Sequence, residues 1–220
     1  MGHKDDSSDI YVIDLNSKEV TNITNDIFSD SSPSWSSNGE VIYFTSDRGN
    51  SSQTKNMFEI DFSQTDIFQY SFASNKIIQL TDTEYNENYP VASSEGNLFY
   101  TSDYNGITNI FKHNLDTNES FPITNVVTGV QQIDLDGSNN LVFSGFKKRG
   151  WDLYLMNNLE MASKKEVKPT KFFVSKGGNN DLEDLRAFTS LQKTPMQEDY
   201  SKYIFARNYQ SRNNLSLIHI

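Results

Sequence analysis

The sequence predicts an all-β fold: a partial β-propeller of four-stranded antiparallel blades, about three and a half of them, followed by a mostly irregular tail. Two observations carry this expectation. Segments beginning at Asp9, Asp66, Asn109 and Asp152 repeat a D/N-I/L-Y/F strand with spacings of 57, 43 and 43 residues. Closing threonines at Thr24, Thr81 and Thr124 keep the first two of those spacings. A period near 43 suits a blade of four short strands and leaves no room for a crossover helix.

Between those segments lies a second pattern, PSWSSNGEVIYFTSDRGN from Pro33, YPVASSEGNLFYTSDYNG from Tyr89 and IDLDGSNNLVFSGFKKRG from Ile133. Each copy reads as an inner strand, a tight turn and a second strand. Gly39 and Gly96 fall at the turn position that needs a left-handed residue, and Asn139, which tolerates that conformation, replaces them in the last copy. The second blade is thus expected as strands over 34–36, 41–45, 66–71 and 76–81, and the third over 91–93, 98–101, 109–114 and 120–124. A two-stranded remnant at Asp9–Thr24 precedes them. Period-2 alternation places Trp35, Phe44, Ile67, Tyr100, Ile110, Phe143 and Leu153 between blades.

The longer first spacing locates a 14-residue insertion between Asn50 and Asp66, whose middle, MFEIDF (Met57–Phe62), alternates apolar and polar residues; it reads as a decorated loop, with a partner-contacting hairpin arm as the alternative. The domain reading is blades over 1–157, a linker or inter-blade excursion over 158–214, and a terminal scar over 215–220. In the excursion, the leucine spacing of Asp181–Leu191 suggests a short helix and KYIFARNY (Lys202–Tyr209) a late strand. LSLIHI (Leu215–Ile220) matches a translated sequencing adapter and is set aside. An open arc leaves its outer sheet faces uncovered, so self-association through them is expected.

Composition narrows the function. Among 220 residues, 15 Phe and 11 Tyr accompany a mean hydropathy of −0.62, a pattern of short aromatic strands and polar turns rather than of disorder. A net charge of −10 argues against nucleic acid and against anionic membrane surfaces. No stretch has the length and apolarity for direct membrane insertion, and the absence of cysteine removes disulfides, thiolate metal sites and cysteine nucleophiles.

Candidate chemistry is sparse. No G-x-S-x-G elbow occurs, and His113 sits at a strand position held by Ile13, Tyr70 and Met156 in the other copies, so it reads as structural. Asp134 and Asp136 superficially resemble a calcium loop but fall on the inter-strand turn and lack the terminal Glu. Asp47 and Asp103 recur at one repeat position, where each is expected to accept N–H groups from the following turn. Sequons at Asn22, Asn50 and Asn118 read as chance in so Asn- and Ser-rich a chain. No catalytic residue, metal site or cofactor is expected.

These residues resemble the repeat of TolB-like β-propellers, roughly P-x-W-S-P-D-G-x-x-I-x-F-x-S-D-R-x-G, then D-I-Y, then L-T. The second blade matches at Pro33, Trp35, Ser36, Gly39, Ile42, Phe44, Ser46, Asp47 and Arg48. The third keeps Pro90, Gly96, Ser102 and Asp103 but carries Ala92 for the tryptophan and Tyr104 for the arginine. The fourth retains mainly Phe143 and the Asp152–Tyr154 strand. The resemblance covers residues 1 to about 157. It implies a non-enzymatic, extracytoplasmic bacterial scaffold, periplasmic or at the cell surface, that binds a protein partner. Alternatives are the accessory propeller of a larger serine peptidase or other hydrolase, and a carbohydrate-active propeller. It leaves any small-molecule ligand unspecified. Trp35 on this reading packs between blades or faces a ligand funnel.

Overall fold

The computed structural model describes residues 2–4, 7–49, 62–175 and 204–205. It is built almost wholly from short antiparallel strands. At the N-terminus, β1 (Gly2–Lys4) pairs with β2 (Ser7–Asp9), and β3 (Tyr11–Ile13) with β4 (Val20–Asn22). The β3–β4 pair is the expected remnant; the β1–β2 pair was not anticipated. The second blade holds β5 (Asp30–Trp35), β6 (Val41–Ser46), β7 (Asp66–Ser71) and β8 (Lys76–Gln79) in that order. The third holds β9 (Glu87–Ala92), β10 (Asn97–Ser102), β11 (Asn109–Asn114) and β12 (Glu119–Pro122). The fourth combines β13 (Val130–Leu135), β14 (Leu141–Lys147) and β15 (Gly150–Met156) with β16 (Ile204–Phe205).

The inner strands β5 and β9 begin four residues before the positions expected from sequence, and the reason is a repeated bulge. Ser32, Tyr89 and Gln132 have φ of 52°, 56° and 48°, and the ladder register shifts at each of them. A bulge turns the strand and leaves one residue out of the ladder. Pro33 and Pro90 sit in that gap, where no N–H is required of them. Gly39 and Gly96 take φ of 72° and 76° at the following turns, and Asn139 takes 55°.

Stacking of sheets makes the core. Ile10 and Ile23 of the remnant meet Ile42, Phe44 and Phe68 of the second blade. Tyr43 and Ile67 meet Leu98, Tyr100 and Phe111 across the next seam. Phe99, Ile110 and Ile123 meet Val130, Ile133, Leu141, Phe143 and Tyr154 across the third. Each such side chain contributes roughly 1.5–3 kcal/mol by leaving water, and none does so without the neighbouring sheet.

Phe44, Ile67, Tyr100, Ile110 and Phe143 are buried as expected, whereas Trp35 and Leu153 are 51% and 53% exposed. Trp35 lies beyond the bulge, where straight alternation assigns the wrong face. Leu153 occupies the position of Ile67 and Ile110, but no further sheet covers it among the described residues. The proposed hairpin arm at Met57–Phe62 and the short helix at Asp181–Leu191 fall wholly or mostly outside the described residues, as does the terminal LSLIHI. Of the expected late strand, Ile204–Phe205 pairs with Leu155 and Tyr154. Residues 159–175 pack back on the blades: Leu159 is buried, Lys165 donates to the Pro122 carbonyl, and helix α1 (Lys171–Ser175) lies beside Gly106, with Phe173 against Tyr85.

The closing threonines clip each blade together. The Oγ1 of Thr24, Thr81 and Thr124 accepts from the N–H of Ile10, Ile67 and Ile110 at 3.0, 2.9 and 2.8 Å. Thr24 and Thr124 also donate to Asp9 and Asn109, at 3.3 and 3.1 Å. Thr124→Val keeps the shape and strands the buried Ile110 N–H, while the Asn109 carbonyl keeps only the bond from Val126 N–H. A loss of about 1–3 kcal/mol is expected in urea unfolding, with Thr124→Ser close to wild type.

Candidate functional site

The densest polar construction lies in the seam between the remnant and the second blade. Arg48 leaves the end of β6 and folds back into the seam, 7% exposed. Its Nη2 donates to both oxygens of Asp30 at 2.7 and 2.8 Å, its Nη1 to Asp26 at 2.9 Å, and its Nε to Ser46 Oγ at 2.8 Å. The guanidinium also lies 5.4–5.5 Å from the ring centres of Phe28, Phe44 and Phe68. Asp30 is fully buried. Burial pushes its carboxyl above the usual range, against the pull of Arg48.

Asp9, Asp26 and Asp30 bring carboxylate oxygens within 4.8 Å of one another, the spacing of a metal cage. Arg48 supplies the positive charge at two of them. Asn22 Nδ2 and Thr24 Oγ1 donate to Asp9. The cluster is therefore a closed ion-pair network, built as a structural clamp.

Asp47 and Asp103 act one residue earlier in the repeat, with partners other than those expected. Asp47 Oδ1 accepts from Ser29 N–H at 2.7 Å, and Asp103 Oδ1 from Asn86 N–H at 2.8 Å. Both donors lie on the loop that enters the inner strand, 18 and 17 residues upstream, rather than on the following turn. Burial raises the Asp47 carboxyl and the bond from Ser29 opposes this.

The structure brings Arg48 and Asp47 to this seam but places Pro33, Gly39 and Trp35 along β5 and its turn; Pro90, Gly96 and Asp103 repeat that layout one blade on. Sequence reasoning missed Asp26 and Asp30. One signal was present: a carboxylate stands three residues before each repeat proline, at Asp30 and Glu87. His113 is 2% exposed and bonds Ser120 Oγ at 2.8 Å, and burial lowers its pKa. Asp136 accepts from Ser138 N–H and Asn140 N–H at 2.8 Å, closing an ordinary Asx turn.

Two features face solvent. Trp35 stacks on Phe72, 37% exposed, with ring centres 5.5 Å apart, and Tyr70 meets Phe72 edge-on at 5.1 Å. A cleft of about 210 Å³, lined by Glu95, Asn139, Asn140, Leu159 and Met161, opens between the third and fourth blades.

Stacked four-stranded antiparallel sheets with a repeated bulge, a threonine clip and an aspartate clamp define a β-propeller of TolB-like blades. The sequence profile described as the TolB beta propeller domain matches residues 1–125, and the chain belongs to that family. No curated protein sequence matches it. Among solved structures, TolB from Acinetobacter baumannii is similar at 14% identity and a TM-score of 0.55, over 74% of this chain and 38% of that one. A TolB-assigned protein from Agrobacterium tumefaciens aligns at 16% identity and a TM-score of 0.57, over 70% and 54%. Kuenenia stuttgartiensis hydrazine synthase aligns at 13% identity and a TM-score of 0.51, over 67% and 26%. The chain thus spans about two fifths to one half of the TolB structures it matches, and these likenesses speak to fold alone.

Removing the clamp's cation leaves Asp30 buried and uncompensated. Arg48→Met is expected to cost roughly 3–5 kcal/mol in denaturant unfolding at neutral pH. Part should return on acidification, as Asp30 takes up a proton.

Proposed function

We propose that this chain is the propeller part of a larger extracytoplasmic bacterial protein, and that it serves as a non-enzymatic platform for a protein partner. The observation that carries the reading is the exposed aromatic pair of Trp35 and Phe72, braced by half-buried Tyr70. Two rings stack and a third braces them, on strand ends of a rigid sheet. Large aromatics held in one geometry lose little side-chain entropy on binding and dominate protein interfaces. Family membership supports the platform and the extracytoplasmic setting, since the blades of this family are generally non-catalytic.

The test uses the full chain immobilised against a bacterial envelope extract. The expected outcome is a defined set of retained proteins that is lost with Trp35→Ala/Phe72→Ala, while the thermal transition stays within a few degrees of wild type. Identical retention by wild type and variant would contradict the assignment of this face.

A further inference from the structure

The seam between the second and third blades repeats the Arg48 clamp with its cation missing. The repeat positions correspond: Asp9 to Asp66, Asp26 to Thr83, Asp30 to Glu87, Ser46 to Ser102, and Arg48 to Tyr104. The aromatic box is kept as well, with Phe28, Phe44 and Phe68 answered by Tyr85, Tyr100 and Phe111. Tyr104, 42% exposed, holds the arginine's repeat position from the rim of that box, edge-on to Tyr85 at 4.9 Å and to Phe111 at 6.0 Å. A phenol cannot supply a charge or a fork of donors.

Two buried oxygens record the loss. Ser46 Oγ accepts from Arg48 Nε, whereas Ser102 Oγ, in a residue with no exposure, has no hydrogen-bond partner. Asp30 accepts two bonds from Arg48, whereas Glu87 Oε2, in a residue 2% exposed, has none. Glu87 Oε1 accepts from Thr83 Oγ1 at 2.7 Å, and the N–H of the same Thr83 points to Asp66 Oδ1 at 3.4 Å, so one threonine holds the two carboxyls side by side. Asp66, also 2% exposed, accepts from Gln79 Nε2 and Thr83 N–H at 3.3 and 3.4 Å.

We propose that a proton takes the place of the arginine: Asp66 and Glu87 share one hydrogen, and the seam between the second and third blades is a pH-dependent latch. Two buried carboxylates side by side repel, and one shared proton converts that repulsion into a hydrogen bond. The proton comes from solvent and returns to it, so no other species is consumed.

Among the described residues, the groups facing the pair offer no competing cation. They are Gln79 from β8, Thr81, Asp82 and Thr83 from the loop into β9, and Tyr100 from β10. Asp82 acts on Asp66 to disfavour its charge, and Asp66 does the same to Glu87. Arg48 is committed to Asp26 and Asp30 in the other seam. Burial, the largest cause, pushes the pair up, to about 6 at Asp66 and about 7 at Glu87. The folded state therefore holds a proton that the unfolded chain releases near its ordinary carboxylate range. Stability is greatest at the acid end of this window and falls as pH rises toward 7.

The experiment is equilibrium unfolding of the full chain between pH 5 and 8, beside carboxyl carbon NMR of Glu87. The folded-to-unfolded ratio of wild type should fall by up to about tenfold per pH unit between about pH 6 and 7, where the pair holds one proton, and level off above. Glu87→Gln, whose amide donates to Asp66 permanently, and Tyr104→Arg, which restores the guanidinium, should each flatten that slope. In wild type the Glu87 carboxyl should titrate near pH 7. A Glu87 midpoint in the ordinary carboxylate range, or a slope unchanged in both variants, would overturn the proposal. So would full recovery of wild-type stability at pH 8 on adding calcium or manganese, which would make the pair a metal site.

Discussion

Everything in this chain follows from one constraint: a four-stranded sheet two residues deep on each face buries its side chains only when another sheet lies against it. Alternation along β6 and β10 therefore sends successive residues into different seams. Ile42 and Phe44 pack toward the remnant, while Tyr43 packs toward the third blade. The strands are short, so the seams rather than the ladders hold the larger share of the apolar burial. The threonine clips and the Asp47 and Asp103 bonds act inside a blade, fixing its outer strand and its entry loop so that each face presents one shape to its neighbour.

The polar chemistry of the seams changes along the chain while the backbone does not. In the first, Asp30 meets a buried guanidinium. In the second, Asp66 and Glu87 stand without one. In the third, the corresponding places hold Asn109 and Val130: the Asn109 carbonyl accepts from Thr124 Oγ1 at 3.1 Å and Val126 N–H at 2.9 Å, and Val130 is fully buried in the apolar cluster. Compensated charge, uncompensated acid and neutral amide are three solutions to one geometric position. Replacing a buried ion pair by matched apolar or neutral groups is often energetically neutral, which allows the third seam to do without charge. The second seam is the exception, because it keeps the acids and drops the base.

Much of this was legible from spacing. The 57- and 43-residue intervals fix blade number, strand order and turn positions, and left-handed Gly39, Gly96 and Asn139 stand where turn chemistry requires them. The bulge was not legible, because Ser32, Tyr89 and Gln132 share no chemistry that favours a positive φ. The misplacement of Trp35 follows directly from that omission. The partners of Asp47 and Asp103 were also hidden: a carboxylate in a repeat announces a bond, but only the folded loop shows that its donor lies upstream. Strand β16 lies within the late strand expected at Lys202–Tyr209, but its pairing with β15, from about 50 residues along the chain, leaves no sequence signal.

Native-state hydrogen exchange tests the dependence on stacking most directly, since it reads protection sheet by sheet in a single sample. The account predicts that amides of β6, β7, β10 and β11, in the two blades covered on both faces, exchange slowest. Those of β3, β4 and β15, each with an uncovered face among the described residues, should exchange earlier and in separate steps. Equal protection across all sheets, released in one event, would contradict it, because each blade would then be stable without regard to what covers it.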